Sequence, residues 1–177
     1  MTSTILLTVE PDVRSLVDRT LRRRLKRRAH RMLTAVGLES AELSVLLAGD
    51  RTVARLNETW RRKRGTTDVL SFAQAAPELL RQWSAGASAA ADADAPDRVL
   101  GDLVISLDVV HRRSPRPEGY EQDLVTLLAH GLLHLLGFEH ADLHARKHML
   151  SLQDELVQIA TSRGRIPRLV TAHGVNG

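Results

Sequence analysis

Apolar and polar positions change their period along the chain, and the changes separate strands from helices. Ile5 to Val9 is a short apolar run that reads as a strand, and Pro11-Asp12 opens a helical stretch to Val36, where Gly37 is placed to end it. Val13, Val17, Leu21, Leu25, Ala29, Met32 and Val36 fall on one face of that stretch and predict its buried stripe. ELSVLLAG, residues 42–49, predicts a second strand; Asp50 is suited to cap a helix over 51–60, which the basic RRKRG at 61–65 breaks. TDVLSFA at 67–73 and RVLGDLVISL at 98–107 supply two more strands, with Gly101 marking a bulge or a close backbone approach. Further helices are expected over 77–83, 108–113, 120–136 and 142–160, with a loop at 114–119 and a stop at Gly137. Strands and helices mix without a regular βαβ repeat, so the expected class is α+β: one domain, a four-stranded mixed sheet layered with helices.

That domain is expected to span residues 1–165. SAGASAAADADAPD, residues 84–97, lacks bulky apolar side chains and reads as a flexible surface insertion, and 166–177 as a C-terminal tail. A chain of 177 residues suits a single core. Aromatic residues are only 3% of it, which predicts an aliphatic interior and weighs against base stacking on aromatic platforms. Cysteine is absent, so disulfides, thiolate metal sites and thiol nucleophiles are excluded and histidine and carboxylate chemistry remain. The first residues show neither a basic flank nor a small-residue cleavage site, and no stretch reaches membrane-spanning length, so a soluble cytoplasmic protein is expected. A net charge of +4 favours a polyanionic partner only weakly. LRRRLKRR at 21–28 fits a phosphate-contacting face, but a solvated helix surface explains it slightly better.

The chemistry concentrates in HGLLHLLGFEH, residues 130–140. Four residues turn an α-helix through about 400°, so His130 and His134 leave nearly the same face one turn apart. Gly137 lets the chain exit in a left-handed conformation, and the loop after it can return His140 to the same point. Three imidazoles at about 2.0–2.1 Å would fill three corners of a Zn²⁺ tetrahedron and leave the fourth open, an arrangement that belongs to catalysis. The histidine pair alone would be weak support; the glycine and the third histidine strengthen it. His140, His144 and His148 form a rival set, ranked lower because His144 and His148 flank Arg146 and Lys147 on an exposed helix face. In HExxH metallopeptidases a glutamate follows the first histidine, whereas Gly131 stands here. The spacing HxxxHxxGxxH otherwise matches the metzincins, so peptide hydrolysis is the weaker reading.

Three segments together resemble the YbeY family of bacterial endoribonucleases, or rRNA maturation factors. HGLLHLLGFEH resembles the family's HGxLHLxGyDH signature, LNETWRRKRGTTDVLSF (56–72) its LNxxyRxxxxpTDVLSF segment, and LGDLVIS (100–106) its LGDIxIs strand; Met149 and Glu155 fit its last helix. The likeness covers most of the chain in the right order. It departs at Glu139, where aspartate is usual, at Ala73, where proline commonly follows, and at the insertion 84–97.

The resemblance implies a single α+β domain that binds one metal, usually zinc, through His130, His134 and His140. It also implies a single-strand-specific endoribonuclease acting in 3′-end maturation of small-subunit rRNA and in ribosome quality control. The implied partners are the rRNA precursor, the small ribosomal subunit and its assembly factors, with no DNA and no membrane. The family's functionally important arginine falls on Arg61, whose guanidinium suits phosphate bidentately, and Arg62, Lys63 and Arg64 extend the charge. Asp68, Asp102 and Glu139 are the carboxylates open to a general-base or ligand-orienting role. A metzincin-like peptidase and a non-catalytic, metal-stabilised ribosome-assembly factor are the competing functions.

Overall fold

Four strands, β1 (Thr4–Val9), β2 (Glu42–Ala48), β3 (Val69–Ala73) and β4 (Val99–Ser106), form one sheet in the order β1-β2-β4-β3. β1, β2 and β4 run parallel, and β3 pairs antiparallel to β4 at the edge. The structure, a computed structural model, describes residues 3–84 and 98–169. Residues 85–97 of the expected insertion and 170–177 of the expected tail therefore lie outside it.

Helices cover both faces of the sheet. α1 (Arg19–Ala35), α5 (Pro117–Leu135) and α6 (Leu143–Thr161) pack together on one face, where Leu43, Val45, Leu47, Leu103 and Ile105 are buried against them. α2 (Asp50–Arg61) lies on the other, closing a smaller apolar cluster of Ala48, Val53, Leu70 and Val104. α3 (Pro77–Ser84) and α4 (Leu107–Arg113) are short connections. β4 is one of the two interior strands, and its residues are mostly buried because both its faces are covered. α5 is buried almost all round, from Tyr120 through Leu124, Leu128 and Leu132 to Leu135. Each leucine so buried stabilises the fold by about 1.5–3 kcal/mol relative to exposure. The helix that carries the first two histidines is thus anchored along most of its length.

The α+β class and the mixed four-stranded sheet match the expectation. The alternation is more regular than expected, because β1, α1 and β2 form a parallel crossover, and only the reversal of β3 makes the sheet mixed. Residues 11–36 are not one helix. Pro11–Leu16 form a 3-10 turn, Val17 is extended, and Asp18 starts α1 by accepting a hydrogen bond from the Leu21 N–H at 2.6 Å. Val13 and Val17 are buried as expected, but from separate segments. Asp50 is the first residue of α2 rather than its cap; its carboxylate accepts from the buried Ser106 hydroxyl at 2.7 Å and pairs with Arg112 at 2.6 Å. Burial would raise its pKa, but the hydrogen bonds from Arg112, Ser106 and Thr66 outweigh that and hold it below the usual carboxylate range. The expected loop at 114–119 ends early, since Pro117 is the first residue of α5, where its missing N–H costs nothing.

Gly101 meets both readings made of it. The β2–β4 register shifts beside it, and at φ +146° a Cβ there would collide with the Phe72 carbonyl oxygen. After α6 the chain turns back onto α1. Arg31 donates to the Ile159 and Gly164 carbonyls, Leu169 N–H donates to the Ala35 carbonyl at 2.8 Å, and Ile166 and Leu169 pack on the core.

Candidate metal centre

The last turn of α5 ends in a Schellman motif: Phe138 N–H donates to the Leu133 carbonyl and Gly137 N–H to the His134 carbonyl, each at 3.0 Å. Gly137 sits at φ +87° with nothing within 4 Å of where a Cβ would be, so its requirement is conformational rather than steric. Phe138 packs on the core and anchors the turn. The chain leaves in the direction that brings His140 back beside the helix. One imidazole nitrogen each from His130, His134 and His140 then lie within 4.8 Å of one another, a group that could hold a metal ion. Nε2 of His134 is 3.1 Å from Nε2 of His130, and the ring centroids are 4.7–5.3 Å apart. His144 and His148 do not join them; both are exposed, and His148 lies edge-on to Phe138.

The ring states suit a cation. Burial, then the charges of His130 and His140, and last that of Arg61, push the His134 pKa below the ordinary imidazole range, a backbone hydrogen bond at Phe138 opposing. His134 is therefore neutral at neutral pH, with a lone pair to give. Nδ1 of His130 is 2.9 Å from Oε1 of Gln153 on α6. An amide oxygen only accepts, so the His130 proton sits on Nδ1 and Nε2 is turned toward the other two histidines. Gln153 escaped the sequence reading, which singled out Met149 and Glu155 on this helix. Its signal was present: it is a polar residue on the buried stripe of Met149, Leu152 and Leu156. Gln153→Ala is expected to weaken metal affinity roughly 10- to 100-fold with the fold retained, measured by competition against a chromophoric chelator. An unchanged affinity would rule out that orienting role.

The histidines open onto a cavity of 520 Å³ that Arg61, Asp68 and Glu139 also line. Arg61 is the exposed last residue of α2. Below it the basic loop is folded back by Asn57, whose buried amide donates to the Gly65 carbonyl and whose own carbonyl accepts from Lys63 N–H. Among the described residues neither the Arg61 nor the Glu139 side chain has a hydrogen-bond or ion-pair partner. Asp68 is committed elsewhere: one oxygen accepts from Val69 N–H at 2.9 Å, the other pairs with Arg113, which Asp123 also holds. Asp102 is not at the cavity and accepts from Gln74 at 2.5 Å. Of the three carboxylates, only Glu139 is both on the cavity and free. Another cavity, of 460 Å³ beside Tyr120, has no metal-capable group among the described residues.

Gly131 faces the sheet. A Cβ there would come within 2.7 Å of a Leu103 methyl, and Ser71 Oγ donates to its carbonyl at 3.3 Å. Any side chain larger than hydrogen at this position would require Leu103 to shift, and the glutamate that serves as base in HExxH peptidases is absent.

A family model described as Endoribonuclease YbeY matches residues 9–161. The protein of that name from Anaeromyxobacter dehalogenans is 42% identical over 151 residues, which are 81% of this chain and 69% of the relative. That from an Anaeromyxobacter species, strain Fw109-5, is 41% identical over 143 residues, 79% and 65% of the two chains. The chain thus spans about two thirds of the length of these relatives. A Thermotoga maritima protein solved in solution superposes with a TM-score of 0.53 at 19% identity over 89% of each chain, a likeness of fold alone. With the matched residues reaching from the end of β1 to the last residue of α6, the chain belongs to the Endoribonuclease YbeY family.

Proposed function

We propose that the chain is a metal-dependent endoribonuclease that hydrolyses phosphodiesters of single-stranded RNA and acts in 3′-end maturation of small-subunit rRNA and in ribosome quality control. The observation that carries this reading is the convergence of His130, His134 and His140 on one cavity with an unpaired Arg61, in a chain whose relatives are named endoribonuclease. The three histidines are the ligands in this reading, and a neutral three-nitrogen donor set suits zinc. Held there, the ion supplies Lewis-acid charge to the reacting oxygens at neutral pH.

The remaining roles belong to side chains. Arg61 grips the non-bridging oxygens of the scissile phosphate and stabilises the charge that grows on them in the transition state. Glu139, open on the same cavity, accepts the proton of the attacking oxygen. Gln153 keeps His130 turned inward, and Arg113 holds Asp68 so that the basic loop stays at the cavity rim. The partners in this reading are precursor rRNA and the small ribosomal subunit with its assembly factors, in the cytoplasm. No helix among the described residues is long and apolar enough to cross a membrane. The glycine at 131, where HExxH peptidases carry their catalytic glutamate, weighs against the peptidase reading.

The test is cleavage of small-subunit precursor RNA by metal-loaded protein, with and without chelator, with casein as the competing substrate. Metal-dependent RNA scission is expected, with Glu139→Gln slower by roughly 10²- to 10⁴-fold in kcat. Chelator-resistant scission, or proteolysis of casein alone, would overturn the proposal.

A further inference from the structure

Trp60 is 68% exposed, an unusual placement for the largest apolar side chain. It precedes Arg61 at the end of α2, and its ring stands edge-on to Phe72 of β3, with centroids 6.3 Å apart and planes at 71°. Both rings line the 520 Å³ cavity that the three histidines and Arg61 line. The chain has five aromatic residues other than histidine, and two of them meet here, although low aromatic content argued against stacking. The two rings come from different elements, α2 and β3, so the pair exists only in the folded chain. Phe72 is half-buried against the cluster under α2 and braces the indole from one side. A leucine at position 60 would cover Phe72 as well, with less surface in water. What an indole adds is a flat π-face beside a phosphate-sized cation.

We infer that Trp60, braced by Phe72, is a stacking platform for one unpaired nucleobase next to the phosphate that Arg61 holds. The inference rests on the RNA-cleaving reading and deepens it by naming what the site recognises. Every base has a π-face, so the platform tolerates sequence, whereas in a duplex each base is stacked on its neighbours and cannot reach it. Discrimination for single strands then follows from a side chain rather than from cavity width. Exposed Arg62, Lys63 and Arg64, next in the chain, favour a polyanion over an apolar peptide as the occupant.

The experiment measures affinity by fluorescence anisotropy, with chelated protein so that binding is read apart from cleavage. The probes are a labelled single-stranded oligoribonucleotide, the same strand with an abasic site at each position in turn, and its duplex. Trp60→Ala is expected to weaken single-strand binding about tenfold, the order of one base–aromatic stack, while Trp60→Phe stays within about threefold of the parent. One abasic position should produce the same loss in the parent and no further loss in Trp60→Ala. Equal abasic profiles in the two proteins, or parental affinity in Trp60→Ala, would overturn the platform even if the parent cleaves RNA. A parent that shows the abasic signature but never cuts would instead sink the nuclease reading and leave the platform standing. Unchanged RNA affinity with weakened binding to small ribosomal subunits would make the patch a protein-docking surface and refute the inference. Trp60 is exposed, so both variants should fold, and Trp60→Phe controls for loss of the ring itself.

Discussion

His134→Ala removes the metal response of the protein and its RNA cleavage together, and leaves the fold in place. The first half follows from the donor set: with one of three converging nitrogens gone, two exposed or half-exposed imidazoles remain, and affinity is expected to fall by at least about 10³-fold. In the parent, metal at a thousand times its Kd stabilises the native state by about 4 kcal/mol. For a domain of this size that raises Tm by roughly 8–16 °C, and the variant should show none of it. The second half follows from where the side chain sits. His134 is not among the buried residues of α5, so alanine, the best helix former, leaves the apolar face of that helix untouched. Metal-free variant and metal-free parent should therefore melt within a few degrees of each other. Direct metal analysis after gel filtration settles the matter: stoichiometric metal retained by the variant would exclude His134 as a ligand.

The same site predicts the response to acid. His134 takes its proton at a lower pH than an ordinary imidazole because of burial and its two neighbours. The unfolded chain therefore binds more protons than the native one as pH falls below about 6.5, and metal-free stability declines in that direction. Protons also compete with the cation for His134, so the metal-induced rise in Tm should shrink as the pH falls.

The histidine cluster was legible because its spacing is a local property of one helix and the glycine that ends it. Helix geometry aligns His130 and His134, and Gly137 supplies the left-handed exit, so few long-range contacts were needed to foresee the cluster. The break before α1 was not legible in the same way. Val13 and Val17 kept helical spacing, and the capping power of Asp18 prevailed over that period. Gln153, the Arg113–Asp68 pair and the Trp60–Phe72 contact each join segments far apart in sequence. Composition misled on the last of these, because a count of aromatics says nothing about where the fold collects them. Motif membership put Asp68, Asp102 and Glu139 on one footing, and the hydrogen bonds that separate them come from α4, β3 and Gln74.

Arg61→Ala is expected to lower kcat by roughly 10²- to 10³-fold while RNA affinity falls less than about tenfold. The asymmetry comes from geometry and charge. Arg61 is exposed, has no partner within the described protein, and stands on the cavity with the histidines, so nothing structural depends on it. Ground-state attraction for the RNA backbone is shared with Arg62, Lys63 and Arg64, and losing one of four cations weakens that shared term modestly. Charge that appears only as the phosphate is attacked has no such reserve, because the three neighbours follow the helix end rather than line the cavity. Arg61→Lys should recover affinity but little turnover, since an ammonium cannot span two phosphate oxygens as a guanidinium does. A metal-stabilised assembly factor that binds precursor rRNA without cutting it predicts the reverse: affinity lost with Arg61, and lysine an adequate substitute. Single-turnover cleavage and equilibrium binding on one RNA separate the two, and an equal loss in both would count against a transition-state role for Arg61.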